Sequence, residues 1–165
     1  MFFIVLAISF VLATWAWGDW RNWRKYHATS LFFLFGNSLY FSFTFNYPLW
    51  RHQPLPPIDS PIVVELLVMI CFACTPMIYL GKWPNSVKKS LLWIALWILL
   101  YFSVESFLLF IGGIKHDNGW TLFHSLLFNI IMFPMFRLHY KRPILAYILS
   151  VPIIIVLLVW LKVPI

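Results

Sequence analysis

Charged side chains are scarce in this sequence of 165 residues: they make up 10% of it, and only five residues are acidic. Hydrophobic residues account for 62% and aromatic residues for 21%. A water-soluble domain of this composition would not have enough polar surface to cover its own core. The composition therefore excludes an ordinary soluble domain and indicates a protein that has the lipid bilayer as its solvent.

Cysteine is also rare, and the two cysteines of the chain are Cys71 and Cys74. They lie three positions apart in one apolar segment, where a disulfide bond between them would distort a helix. Small apolar packing is the commoner role of buried cysteine. No disulfide bond is expected here, and the single C-x-x-C pair is a weak signal for redox chemistry or metal binding.

Catalytic motifs are missing altogether: the sequence has no H-E-x-x-H, no G-x-S-x-G, no glycine-rich phosphate loop and no metal-finger spacing. We therefore assign no catalytic residue, and the sequence identifies neither a cofactor nor a metal. This absence favours a non-enzymatic protein. An intramembrane enzyme that uses Glu105 and His124 as acid and base stays open as an alternative.

Apolar segments dominate what the sequence does contain. A membrane-spanning helix needs about 20 mostly apolar residues, and continuous apolar blocks of this kind exclude the alternating pattern of a β-barrel. We predict an all-α fold, a polytopic transmembrane bundle in which residues 1–165 form a single integral membrane domain. The approximate spans are residues 2–17, 27–46, 62–80, 90–112, 120–136 and 143–161.

The basic residues alternate between the loops, and positively charged loops tend to stay in the cytoplasm. Nine of the twelve lie after the first, third and fifth spans, whereas the remaining three occupy the second loop, the fourth loop and the C-terminal end. This distribution predicts that both termini are extracytoplasmic. It also accounts for the net charge of +7, so that the expected partner is the lipid bilayer and nucleic-acid binding is not expected.

One acidic residue falls well inside a predicted span. An ionised Glu105 side chain would cost about 2.5 to 3.5 kcal/mol in the hydrocarbon region on insertion scales, so something must compensate for it. Tyr101 lies four positions earlier, on the same helix face, and could supply a hydroxyl group. Glu65 and His124, near the outer ends of spans three and five, are further candidates for a ligand- or ion-binding site.

Two interpretations of this outer polar group stay open. Together with His52, Asp59, His116 and Asp117 of the outer loops, these side chains could form one cavity that binds a divalent metal or relays protons. Alternatively, Glu65 interacts only with a helix dipole and His124 only hydrogen-bonds another helix.

Small polar residues recur every fourth position in two spans, which places each set on one helix face. Such residues commonly join transmembrane helices by hydrogen bonds, and we therefore predict two packing seams. The first contains Ser38, Ser42 and Asn46, and the second contains Thr121, Ser125 and Asn129. Tryptophans at the span ends, among them Trp50 and Trp120, are expected to lie in aromatic belts at the membrane interface.

Several segments carry a family resemblance: residues 19–26 (DWRNWRKY), 45–50 (FNYPLW), 118–120 (NGW) and 139–143. On these segments the chain resembles an uncharacterised family of small, Trp-rich polytopic membrane proteins of spore-forming Gram-positive bacteria. The resemblance implies a multi-pass protein of the bacterial plasma membrane. It transfers no activity and no site residue.

Two functional hypotheses follow. The first is a non-enzymatic multi-pass membrane protein, a sensor or an assembly component that binds a homo-oligomeric partner or another membrane protein. The second is a small transporter or channel, coupled to a cation or to protons, that uses an outward-facing polar cavity around Glu105. Glu105→Gln separates them, since it should abolish ion-dependent behaviour only under the second.

Overall fold

The computed structural model describes residues 1–164, in which 73% of the chain is helical. A 3-10 turn at Trp20–Lys25 connects the first two of six α-helices. The helices follow one another as α1 (Phe2–Trp17), α2 (His27–Phe43), α3 (Pro61–Tyr79), α4 (Val87–Phe110), α5 (Leu122–Lys141) and α6 (Pro143–Trp160). Each predicted span contains one helix, although α2 ends before Asn46 and α5 continues past Phe136.

Four of the helices, α3 to α6, are long enough and apolar enough to cross a membrane. The first helix is a shorter apolar helix of 16 residues. Local sequence explains several of the boundaries. Pro61 begins α3 after Ser60, whose side chain accepts a hydrogen bond from the Val63 amide, and Ser86 caps α4 through the Lys89 amide.

Helices α3 and α5 form the centre of the bundle. Helix α3 packs against α1 and α2, and helix α5 packs against α2, α4 and α6. Aromatic side chains fill the space between them around the fully buried Tyr79 and Phe133. The Tyr79 hydroxyl donates to the Phe133 carbonyl at 3.0 Å, and Trp93 Nε1 donates to the Tyr79 carbonyl at 2.9 Å.

A two-stranded antiparallel ribbon closes one end of the bundle, a feature that the all-α prediction missed. Strand β1 (Trp50–His52) lies between α2 and α3, and strand β2 (Ile114–His116) lies between α4 and α5. The register pairs Trp50 with His116, Arg51 with Lys115 and His52 with Ile114. Gly112 has a φ of +76° after the end of α4, a conformation that glycine adopts without strain.

The loops divide between the two ends of the bundle as the charge pattern suggests. Both termini lie at the ribbon end, because the Met1 amino group contacts the Pro56 carbonyl and Val163 packs with Leu49. At the opposite end, the Asp19 amide donates to the Met77 carbonyl at 3.3 Å, and the Arg137 guanidinium near the end of α5 lies over the Trp83 ring. The basic loops that follow α1, α3 and α5 therefore share one end of the protein.

Candidate functional site

The ribbon has an inner and an outer face, as alternation along a strand requires. Arg51 and Lys115 are exposed on the outer face, and both contact the Asp117 carboxylate, at 2.8 Å and 2.9 Å. Hydrogen bonds from Lys115 and Arg51 hold the pKa of Asp117 below its ordinary value. The inner face presents His52 and His116 to the helices.

His116 makes the first of two contacts between the ribbon and a helix carboxylate. Its Nε2 lies 2.9 Å from Glu105 Oε1. Ser125 Oγ donates to the same carboxylate oxygen at 2.5 Å, and Trp120 Nε1 donates to Ser125 Oγ at 2.8 Å. Polar groups from β2 and α5 thus supply the compensation that a carboxylate on α4 needs inside the bundle.

His52 makes the equivalent contact from the other strand. Its Nδ1 lies 2.9 Å from Glu65 Oε2, and Asn37 Nδ2 donates to Glu65 Oε1 at 2.9 Å. The two histidines therefore fasten the ribbon to α4 and α3, each through one carboxylate. We call these two contacts, His116–Glu105 and His52–Glu65, the clasps.

A cavity of about 430 Å³ lies beneath the ribbon and extends along the bundle. Its polar lining is concentrated near the ribbon end, where it includes Asn37, His52, Glu105, Ser125 and Asn129. The rest of its wall is almost entirely apolar and aromatic, and no described Lys or Arg lines it. This volume and this lining are typical of small-molecule sites, which are mostly apolar with a few oriented polar groups.

Asn129 is a polar residue of the cavity lining whose side chain has no hydrogen-bond partner among the described residues. The residue is only 4% exposed, yet none of the described residues forms a hydrogen bond with its side chain. The second Glu105 oxygen, Oε2, likewise has no hydrogen-bond partner among residues 1–164. Both groups lie in the cavity lining and are therefore available to a bound molecule.

The structure separates the four predicted ligand-binding residues. Glu105 lines the cavity, and Glu65 lies in the other clasp, outside the cavity lining. Tyr101 lies in the cavity wall, but the expectation that its hydroxyl serves Glu105 is wrong, because that hydroxyl contacts Thr75 Oγ1. His124 lies elsewhere: its Nδ1 accepts a hydrogen bond from the Thr121 amide at the start of α5, so the three acidic and imidazole groups do not converge.

The two small-polar stripes differ in their surroundings. Ser38, Ser42 and Asn46 are exposed, and the two serines donate to carbonyls of their own helix, so the predicted seam is wrong within this chain. In the second stripe Thr121 is exposed, whereas Ser125 and Asn129 are buried. These two line the cavity and do not form a simple helix–helix seam.

Sequence reasoning grouped His52 and His116 with Glu65 and Glu105, but it missed Asn37 and did not say which histidine pairs with which carboxylate. The available signal was the position of His52 and His116 on loops at the same side as two acidic residues within spans. Trp50 and Trp120, which the sequence places at span ends, pack on each other, with ring centroids 4.6 Å apart. Trp120 is buried, because its indole is hydrogen-bonded within the site.

Residues 1–164 contain no group of three or more His, Cys, Asp or Glu side chains that could hold a metal ion. Cys71 and Cys74 are both free and buried. Comparison with known proteins adds no further assignment: no family model, no curated protein and no solved structure matches the chain.

Proposed function

We propose that this membrane protein is a non-enzymatic, six-span component of a bacterial plasma membrane that binds a small molecule in the cavity beneath its ribbon. Ligand binding would let it act as a sensor or as a partner-binding subunit. The family resemblance supports the bacterial location. The gathering of the basic loops at one end supports a topology with both termini and the ribbon on the extracytoplasmic side.

One observation carries the binding proposal: Asn129 is almost completely buried in the cavity without a hydrogen-bond partner. A hydrogen bond to such an amide contributes on the order of 0.5–1.5 kcal/mol. A ligand that pairs with Asn129 and with Glu105 Oε2 gains this contribution. The stabilisation favours the liganded state, and it is available only to a molecule that reaches this end of the cavity.

The ribbon lies between the cavity and the outer surface of the protein, so it can transmit the effect of a bound molecule to that surface. Trp50 and His52 line the cavity with their side chains, and the same strand carries Arg51 on the outer face. A molecule beneath the ribbon therefore contacts the segment that a partner outside the membrane would meet. This arrangement supports the role of sensor more directly than it supports catalysis.

The experiment is native mass spectrometry of the protein released from nanodiscs, with two variants of Gly36. This glycine lines the cavity, and a Cβ at this position would meet no atom within 4 Å. Gly36→Phe should fill cavity space and remove a bound molecule that is present in the wild type, whereas Gly36→Ala should retain it. Equal occupancy in all three proteins, or a bare wild type, contradicts the proposal.

A second candidate function is proton- or cation-coupled transport, and the two clasps are the observation in its favour. Each carboxylate lies 2.9 Å from an imidazole nitrogen, a hydrogen-bond distance at which a proton can pass between the two groups. Transport would require the clasps to open and to close again. Proton flux in proteoliposomes distinguishes this function from ligand sensing without transport.

A further inference from the structure

We propose that the ligand is a neutral, hydroxyl-bearing lipid-like amphiphile that enters the cavity sideways from the bilayer, between α2 and α6. This inference rests on the proposed binding function and adds the chemical class of the molecule and its path. Its apolar chain lies along the bundle, and its hydroxyl groups lie under the ribbon at Glu105 and Asn129.

The sideways path follows from which residues line the cavity. Phe35 on α2, Ile131 on α5 and Val151 on α6 all line it, and all three are exposed on the outside of the bundle. A residue that is both exposed and part of the lining marks the mouth of a cavity. Because these residues are apolar and lie in the middle parts of their helices, the mouth opens toward hydrocarbon.

The packing of the helices explains why the gap lies there. Helix α2 packs against α3 and α5, and α6 packs against α5. Helices α2 and α6 meet where the Phe32 and Tyr147 rings lie 5.3 Å apart, so the mouth lies beyond this contact, toward Phe35 and Val151. Gly36 adds to the gap, since nothing occupies the space beside its Cα within 4 Å of where a Cβ would lie. A flexible alkyl chain fits such a cleft, whereas a compact polar solute would have to cross lipid to reach it.

The charge of the cavity lining determines which head group the amphiphile can carry. No described cationic side chain lines the cavity, and the exposed Arg51 and Lys115 are already paired with Asp117. A phosphate or carboxylate would therefore approach Glu105 without a counter-ion, at a high cost in a medium of low dielectric constant. A hydroxyl group donates to Glu105 Oε2 and accepts from the Asn129 amide, which satisfies both free groups with one neutral partner.

The test measures binding of probes with matched oleoyl chains to the detergent-purified full chain, by native mass spectrometry and by thermal shift. The probes are monooleoylglycerol, lysophosphatidic acid and oleylamine, which carry neutral, anionic and cationic heads. We expect wild type and Gly36→Ala to prefer monooleoylglycerol. Asn129→Leu should weaken its binding by about tenfold, the scale of one buried hydrogen bond, and Gly36→Phe should abolish it. Ser38→Leu, on the exposed face of α2, should leave binding unchanged.

The outcomes distinguish the failure of this inference from that of the proposed function. Preference for the anionic or the cationic probe, still abolished by Gly36→Phe, overturns the neutral class and leaves a cavity-binding protein. Binding of monooleoylglycerol that survives in Gly36→Phe indicates only adventitious lipid on the outer surface and overturns the inference. No binding of any probe, together with a bare protein from nanodiscs, overturns both proposals.

Discussion

The Tyr40 ring lies flat on the Trp50 indole, with ring centroids 3.6 Å apart and planes within 10° of parallel. The Tyr40 hydroxyl also donates to the Trp50 carbonyl at 2.6 Å. In addition it accepts hydrogen bonds from the Leu49 and Trp50 amides, at 3.1 Å and 2.7 Å. One side chain of α2 thus satisfies three backbone groups at the start of the ribbon.

Tyr40→Phe should destabilise the ribbon, because it keeps the stacked ring but removes three hydrogen bonds from partly buried backbone groups. We expect a loss on the order of 1–3 kcal/mol, seen as faster amide hydrogen exchange at residues 49–52. Tyr147→Phe is the matched control, since no described residue hydrogen-bonds the Tyr147 hydroxyl. Equal exchange in the two variants would show that the hydroxyl has no such role.

Glu105→Gln should leave the fold nearly unchanged, because the amide oxygen of glutamine can still accept from Ser125 and His116. Glu105→Leu removes the oxygen atom that both groups contact and leaves Ser125 and His116 without this partner, at a cost on the order of 1–3 kcal/mol. Thermal unfolding in detergent checks this difference.

The same pair of variants tests proton coupling. In proteoliposomes, Glu105→Gln should abolish proton flux if the protein is a transporter, because the amide cannot exchange a proton. If wild-type vesicles carry no flux above empty vesicles, the transport hypothesis fails while the folding prediction stands by itself.

Acid should loosen the outer face of the ribbon through Asp117. Its pKa lies below the ordinary value of 3.8 because Lys115 and Arg51 hydrogen-bond its carboxylate. A depressed pKa gives stability that is fully present above about pH 4 and is lost as the pH falls through the folded-state value. Arg51 and Lys115 are exposed, so the contribution of these ion pairs is under about 1 kcal/mol and decreases at high salt.

Hydrogen exchange at residues 50–52 and 114–116, compared between pH 6 and pH 3, measures this effect. Asp117→Asn should remove part of the pH dependence. Asp59→Asn is a suitable control, because none of the described residues pairs with the Asp59 carboxylate. An unchanged pH profile in Asp117→Asn would refute the assignment.

At the other end of the bundle, Gly81→Ala should be destabilising, because a Cβ there would lie 2.4 Å from the Met77 carbonyl oxygen and 3.0 Å from Asp19 Cβ. Backbone must move to admit it, with a cost typically of about 1–3 kcal/mol. Gly36→Ala should instead be neutral or slightly stabilising, since it meets nothing and improves helix propensity. Unfolding midpoints of the two variants, measured side by side, test the contrast.

The helices could be predicted from the sequence because a bilayer imposes long apolar blocks, and the six blocks are unmistakable. The sequence did not allow us to predict which face of each helix lies inside the bundle. Ser38 lies one position after Asn37, yet Asn37 is buried against Glu65 and Ser38 is exposed. In a soluble helix the apolar stripe would indicate the inner face, whereas lipid makes both faces apolar and removes that guide.

The ribbon was beyond prediction for a different reason. Each strand has only three residues, and their partners are distant along the chain, so neither alternation nor turn chemistry signals the pair. Glu105 was identified because a carboxylate inside a span is conspicuous on its own. Its partners His116 and Ser125 come from a loop and from another helix, and only the folded chain brings them to it.

The separation of the two strands along the chain also determines which parts of the protein the binding site needs. Arg51 and Asp117, whose side chains meet at the outer face of the ribbon, are 66 positions apart, so the chain must be synthesised through β2 before β1 gains its partner. Closure of so long a loop is an entropically costly and slow step. Each clasp joins residues that are close in the chain, 13 positions apart for His52 and Glu65 and 11 for Glu105 and His116. The cavity beneath the ribbon, in contrast, needs both halves of the protein, which join only when the two strands pair.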